Sequence, residues 1–239
     1  MSVLRLGEKV EGILIVDKPG GWTSYDVVNF IRQRFKIKKV GHAGTLDPLA
    51  TGVLVVLLGR YTKLFNKFSS EDKEYEGTLR LGISTDSQDA DGKEILRRDY
   101  SSLKREDIEK AFAQFTGEIE QIPPMVSALR YEGRRLYKLA REGKEVARKP
   151  RKIFVYRFEV TNFSPPDVDS FLSSSKGTYV RTLCHDVGEV LGCGGHLLRL
   201  KRIKSGEFTL AESVDIPTLR RMSFEQLKER IIKCDLCLP

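Results

Sequence analysis

The stretch Gly41-His42-Ala43-Gly44-Thr45-Leu46-Asp47-Pro48-Leu49-Ala50-Thr51-Gly52, running straight into Val53-Leu54-Val55-Val56-Leu57-Leu58, decides how this chain is read. The second part is six apolar residues, half of them β-branched, and predicts a buried strand. The first part is a turn-rich loop. Its three glycines let the backbone bend sharply and approach a ligand closely. Pro48 drives the residue before it away from helical dihedrals, so Asp47 sits on an extended or turning backbone. Two readings of Asp47 follow. In one, the carboxylate caps its own backbone as an Asx-turn. In the other, a carboxylate on a loop anchored by a buried strand acts as a nucleophile or general base.

Working outward, Gly12 to Val16 reads as a short strand ending in the turn Lys18-Pro19-Gly20-Gly21. Thr23 or Ser24 is placed to cap a helix whose apolar stripe is Val27, Ile31 and Phe35. Lys73 to Leu81 alternates, with Tyr75, Gly77, Leu79 and Leu81 on one face. Ile108, Ala111, Phe112 and Phe115 mark an amphipathic helix stopped by Gly117. Phe154, Tyr156, Phe158 and Val160 mark a further strand, followed by another at Ser170 to Ser175. Val180, Leu183, Val187 and Leu191 suit a helix ended by Gly192, and Ser223 with Gln226 forms a capping box ahead of Leu227 and Ile231. Strands and helices mix without a βαβ rhythm, so the expected class is α+β.

The 239 residues suit one large domain or two small ones, and 40% hydrophobic content is enough for a real core. The formal net charge of +8 points to a polyanionic partner. No apolar run approaches the length of a membrane span, and Met1 to Val10 carries Arg5, Glu8 and Lys9 without an apolar core. A soluble, cytoplasmic protein without a membrane partner is therefore expected, and a monomer. Charge is concentrated between Arg130 and Lys152, where ten Lys/Arg face three Glu. Glycines and the aromatics Tyr131 and Tyr137 are interleaved there. This favours a mobile basic arm that grips phosphates through Arg130, Arg134, Arg135, Lys138 and Arg141, over a merely solvated face. A second basic stretch, Arg199 to Lys204 with Lys201 and Arg202, extends the RNA-binding expectation to a groove.

Several other chemistries are set aside. Cys193-x-x-His196 and Cys234-x-x-Cys237 have ligand-like spacing, but reduced, buried thiols fit a chain without an export signal better than zinc. Asp86 to Gly92 resembles half of a calcium loop, yet Ser87 and Arg98 fall where that loop needs acids. No phosphate-cradling G-x-x-x-x-G-K-[ST] motif is present, and Gly192 to Gly195 lacks the strand–helix context of a dinucleotide fingerprint. The three histidines form no visible triad with a serine or cysteine.

Taken together, Gly12 to Pro19, the G-x-x-D core within Val40 to Gly52, Lys73 to Gly82 around Tyr75, Thr85 to Gly92, Pro123 to Arg141, Lys176 to Leu183 and Gly192 to Gly206 resemble the TruB family of pseudouridine synthases. The motifs stand in the family's order and cover nearly the whole chain. The resemblance implies a pseudouridine synthase fold. This is a single catalytic domain over residues 1–239 on a central, largely antiparallel mixed sheet flanked by helices. A basic, thumb-like insertion near residues 123–152 is implied with it. It also implies an isomerase that makes pseudouridine-55 in the T loop of tRNA, with no cofactor and no metal. Asp47 matches the catalytic aspartate. Tyr75 matches the aromatic that stacks on the uracil and has a proton-transfer role. Arg181 matches the basic partner of the aspartate. Tyr179 and Leu200 match residues lining the base pocket, and His42 matches the residue that fills the space left by the flipped nucleotide. Many members continue into a C-terminal PUA module; Leu238-Pro239 lies about where it would begin, so none is expected here and the T arm is the expected partner. A non-catalytic RNA-binding or tRNA-folding protein, and a metal-dependent nucleic-acid enzyme using the Cys/His pairs, are the alternatives.

Overall fold

In the computed structural model, which describes residues 10–127 and 129–234 apart from the side chains of residues 130 and 141, the chain opens with β1 (Gly12–Lys18), α1 (Ser24–Arg34), β2 (Val40–Ala43) and β3 (Thr51–Leu58). A 3-10 turn (Gly59–Leu64) leads to α2 (Phe65–Ser69), β4 (Lys73–Leu81), β5 (Ile83–Thr85), β6 (Glu94–Arg97), α3 (Arg105–Ala113) and β7 (Gly117–Gln121). Next come β8 (Arg130–Tyr131), β9 (Arg134–Arg135), α4 (Leu136–Arg141), β10 (Arg151–Ser164), β11 (Asp167–Ser174) and α5 (Val180–Val190). The chain closes through β12 (Gly195–Ser205), β13 (Phe208–Thr209), β14 (Val214–Asp215), α6 (Ile216–Arg221) and α7 (Phe224–Glu229). It divides into two compact units, Met1–Lys73 with Lys201–Pro239, and Glu74–Leu200.

The first unit carries strands in the order β14-β1-β3-β12. β1 and β3 run antiparallel from Gly12↔Leu58 to Lys18↔Gly52, whereas β14 joins β1 and β12 joins β3 in parallel. Ile13, Ile15, Val53, Val55 and Leu57 pack with Phe68 and Phe208 on one side. The alternate residues Leu14, Val16, Leu54, Val56 and Leu58 are equally buried on the other. A strand covered on both faces needs a continuous apolar run rather than alternation, which is what Val53 to Leu58 supplies. α1 starts as expected: the Asp26 backbone N–H donates to Thr23 Oγ1 and the Asp26 carboxylate accepts from the Thr23 N–H. Its stripe Val27, Ile31 and Phe35 is buried.

In the second unit the order is β12-β4-β11-β10-β7, and β10 is antiparallel to both β11 and β7. α3 packs on this sheet through Phe112, whose ring stacks on Phe158 at 3.8 Å and 8°. The expected strand through Phe154, Tyr156, Phe158 and Val160 is β10, but these four residues do not share a face. The pairing of β10 with β11 shifts between Val155 and Arg157, and that extra residue turns the strand over. Ile153 and Val155 are inside before the shift and Phe158 and Val160 after it, so Phe154 and Tyr156 are left exposed. The segment between β7 and β10 is not a plain mobile loop. It holds the β8–β9 hairpin, turned at Glu132 (φ 47°) and Gly133 (φ 79°), and α4, which buries Leu136 and Leu139. Both units mix helices with a sheet, so the α+β class holds. The only parallel strand pairs among the registers described are β1 with β14 and β3 with β12.

Gly52 marks the tightest backbone approach in the first unit. It has φ 97°, and a Cβ there would lie 2.2 Å from the Arg202 carbonyl oxygen on β12. Gly52→Ala is expected to lower the unfolding free energy by about 2–5 kcal/mol, combining left-handed strain with overpacking. Gly21→Ala, with φ 77° but nothing within 4 Å of its Cβ position, is expected to cost only about 1–2 kcal/mol. Urea unfolding of both variants checks this; equal losses would show that Gly52 answers only to its dihedral.

Candidate active site

The Asp47 loop joins β2 to β3, and its backbone is held at nearly every turn. The Gly44 carbonyl accepts from Arg202 Nη2 at 3.0 Å, and the Val53 carbonyl on β3 accepts from Arg202 Nε at 2.7 Å. This happens where the partner of β3 changes from β12, paired at Thr51 and Gly52, to β2, paired from Val55 to Leu58. The Ser24 hydroxyl donates to the Leu46 carbonyl and accepts from the Leu46 N–H. The Pro48 carbonyl accepts from the Gly21 N–H at 2.9 Å and from Lys18 Nζ at 3.3 Å. Asp47 itself is half-buried, and its carbonyl accepts from the Ala50 N–H. His42 is half-buried on β2 opposite Val56.

Two buried cations flank this loop. Arg202 is 1% exposed and Lys18 is 0% exposed. Lys18 Nζ also donates to the carbonyls of Pro19 and Trp22. Burial pulls its pKa down to about 8, against the opposing pull of the Asp47 charge. Arg202, expected to contact RNA, is instead buried: its guanidinium donates to two protein carbonyls and is withheld from solvent. Lys201, beside it, is exposed.

In the second unit, Tyr75 lies on β4, 8% exposed. Gly77 follows on the same face, and a Cβ there would stand 3.4 Å from Leu200 Cδ1 on β12, so the missing side chain leaves Leu200 its place. Tyr179 caps the N-terminus of α5, with Arg181 one residue inside the helix and its guanidinium 5.8 Å from the Tyr179 ring centre. Arg181 is 3% exposed. Its Nη1 lies 3.4 Å from Asp89 Oδ2, and its Nη2 donates to the Val126 carbonyl at 2.5 Å. Asp89 is held in turn by the Ser87 hydroxyl and the Asp91 N–H. Gln121 grips Tyr179 at two points, accepting from its N–H at 2.8 Å and donating to its carbonyl at 3.1 Å. Arg134, Arg135 and Lys138 are exposed on the basic segment, while the side chains expected to act from Arg130 and Arg141 lie outside the described residues. Much of that segment's charge is already paired: Arg134 and Lys144 with Glu142, Arg148 with Glu145, and Lys152 with Glu118.

For metal chemistry the donors are engaged elsewhere. His196 Nδ1 is 2.8 Å from the Ile83 carbonyl, Cys193 is buried, and Cys237 lies outside the described residues. Among the described residues no group of three His, Cys, Asp or Glu could hold a metal ion.

The model of the TruB family pseudouridylate synthase N-terminal domain matches residues 32–180, from α1 to the cap of α5, and so takes in Asp47 and Tyr75. This chain belongs to the TruB family. A tRNA pseudouridylate synthase B C-terminal domain model covers residues 181–236. The tRNA pseudouridine synthase B of Opitutus terrae is 44% identical over 94% of this chain and 93% of its own length. That of Syntrophotalea carbinolica is 45% identical over 93% of this chain and 73% of its own. Among solved structures, a crystal structure of a Cbf5-Nop10-Gar1 complex matches with a TM-score of 0.73 and 29% identity, covering 92% of this chain and 59% of that one.

The TruB-family chain carries supports for its site that sequence reasoning passed over. Asp89 sits in the stretch read as a failed calcium loop; an aspartate-rich turn that cannot bind calcium still has carboxylates to spend on an arginine. In the sequence Lys18 reads only as part of a turn, although on a strand it falls in phase with Leu14 and Val16 and so shares their buried face. Ser24 stands out in the sequence only as a candidate helix cap, and Gln121 gives no signal beyond its polarity.

Lys18 gives this TruB-family site a pH signature. Unfolded lysine titrates near 10.4 and folded Lys18 near 8. Between those values the unfolded chain holds the proton and the folded chain does not, so this group adds stability as pH rises. Lys18→Met lacks the contribution. The difference in unfolding free energy, parent minus Lys18→Met, is expected to grow between pH 7 and pH 9.5; a constant difference in urea titrations at the two pH values would refute the assignment.

Proposed function

We propose that this chain converts uridine 55 in the T loop of tRNA to pseudouridine, working as a monomer in the cytoplasm. The observation that carries the reading is the carboxylate of Asp47 on a loop whose backbone is pinned by Lys18, Ser24 and Arg202. A pinned loop presents its acid without reorganisation at the moment of reaction. The target base is stacked within folded RNA and is extruded to be reached. Asp47 acts at C1′ as the bond to uracil N1 breaks. The base then rotates and C5 bonds to C1′. The C5 proton leaves and N1 gains one, so nothing is added or lost overall.

Tyr75, largely buried, stacks under the base and takes part in the proton transfer. Tyr179 and Leu200 bound the base, and His42 occupies the space that the nucleotide leaves. Arg181 supplies the positive charge of the reaction, kept in place by Asp89 and the Val126 carbonyl. Arg130, Arg134, Arg135, Lys138, Arg141 and Lys201 meet phosphates. The whole chain serves as one catalytic domain, with residues 123–152 as its RNA-gripping insertion, and needs neither metal nor cofactor.

Incubation with unmodified tRNA followed by chemical mapping of pseudouridine tests the reading directly. Asp47→Asn keeps the shape and removes the charge. It is expected to bind tRNA within a few fold of the parent while conversion becomes undetectable. A variant that converts uridine at close to the parent rate would eliminate Asp47 as the reacting carboxylate.

A further inference from the structure

Between Arg32 and Lys67 the chain carries eight Lys/Arg and a single acid, Asp47. The structure gathers part of this charge along one rim of the first unit. Lys36, Lys38 and Lys39 follow α1 and lead into β2, and all three are exposed. The turn that carries Arg60 and Lys63 meets them, since the Lys39 carbonyl accepts from the Gly59 N–H at 2.9 Å. The last turn of α1 is fixed alongside by Arg34, which donates to the carbonyls of Arg220 and Met222.

What separates Lys36, Lys38 and Lys39 from the segment between β7 and β10 is the state of their charges, although Arg60 in the neighbouring turn is itself paired with Glu11. On the segment between β7 and β10, four cations are already matched by Glu118, Glu142 and Glu145. On the rim, no carboxylate among the described residues lies within ion-pair distance of Lys36, Lys38 or Lys39. Unmatched like charges on a fixed surface repel one another and raise a local positive potential. A short connection between α1 and β2 that keeps three of them within four residues presents its charge to an external anion of matching spread. Lys39 and Gly44 are five residues apart along β2 and its end, roughly 16 Å of extended chain. One small anion bound near Asp47 would not reach that far, but the backbone of a folded RNA would.

We propose that Lys36, Lys38 and Lys39 form a phosphate-binding rim that holds the RNA substrate at a distance from the reacting nucleotide. The proposal deepens the tRNA reading given above and rests on it for the identity of the polyanion. It assigns this rim a share of the affinity that the sequence had placed on residues 130–152 and 199–204.

The test compares the full chain with the triple variant Lys36→Gln, Lys38→Gln, Lys39→Gln. A control removes the same charge elsewhere, at Lys93, Lys104 and Lys110. Binding of unmodified tRNA is measured as a function of salt, with no turnover needed. Each lost phosphate contact reduces the slope of log affinity against log salt by about 0.7–0.9, so the rim variant is expected to lose about two units or more. The control is expected to keep the parent slope. A drop of at least one unit confined to the rim variant sustains the proposal; a smaller drop, or an equal drop in the control, overturns it. If the triple variant does not fold, Lys38→Gln with Lys39→Gln, which leaves Lys36 and its left-handed backbone (φ 52°) in place, is read against the same threshold. Failure of the parent to form pseudouridine would sink the functional reading alone, because the slopes are compared on binding.

Discussion

A single buried guanidinium ties the Asp47 loop to its sheet. Arg202 gives up hydration almost completely, and burying a charge without partners is costly. Among its partners are the carbonyls of Gly44 and Val53, one on the loop and one on the strand after it. A lysine at this position would offer a point charge where the guanidinium offers a planar fork that spans both acceptors. The close approach of β12 to β3 at Gly52 delivers that fork to the right place, so the glycine and the arginine are two halves of one arrangement. Lys18 works in the same way from the other side, and its lowered pKa is the visible cost of its burial.

The second unit follows similar logic with a mixed charge set. Arg181 and Asp89 are both almost fully buried, and a pair of this kind is sensitive to loss of either member because the survivor is left uncompensated. Asp89 is itself fixed by neighbours in its turn. That turn is laid against β12 by backbone hydrogen bonds between Gln88, Ala90 and Leu197. Gln121 does for Tyr179 what a neighbouring strand would do for a ladder residue: one side-chain amide replaces the missing donor and acceptor. In both units the candidate site residues are carried by backbone that side chains hold in place.

The parts legible in the sequence were those governed by local rules. α1 and α7 start at the capping residues that their patterns announce, and β3 is continuous and apolar because both of its faces are covered. Asp47 stood out because glycines and a proline surround it. The parts not legible depend on side chains distant in sequence. Nothing near Arg202 distinguishes it from Arg199 or Lys201, since its burial comes from a strand some 150 residues earlier in the chain. The bulge in β10 was hidden for a related reason. Period-two alternation cannot reveal an extra residue whose only trace is a shift against β11, and so the exposure of Phe154 and Tyr156 was not legible.

The segment that leaves β7 at Gln121 returns to β10 at Arg151, and these two residues are partners across the same antiparallel pair. Its ends are therefore closed by the sheet, whatever lies between them. For such a closed excursion the entropic cost grows only with the logarithm of length, about 0.6 kcal/mol for each doubling. Evolution can lengthen, shorten or exchange this hairpin and helix at little thermodynamic penalty, while the amide clamp from Gln121 to Tyr179 stays at its root. The fold thus separates a part that can change in length and shape from a part that must keep its geometry, and it places the seam between them at a single buried glutamine.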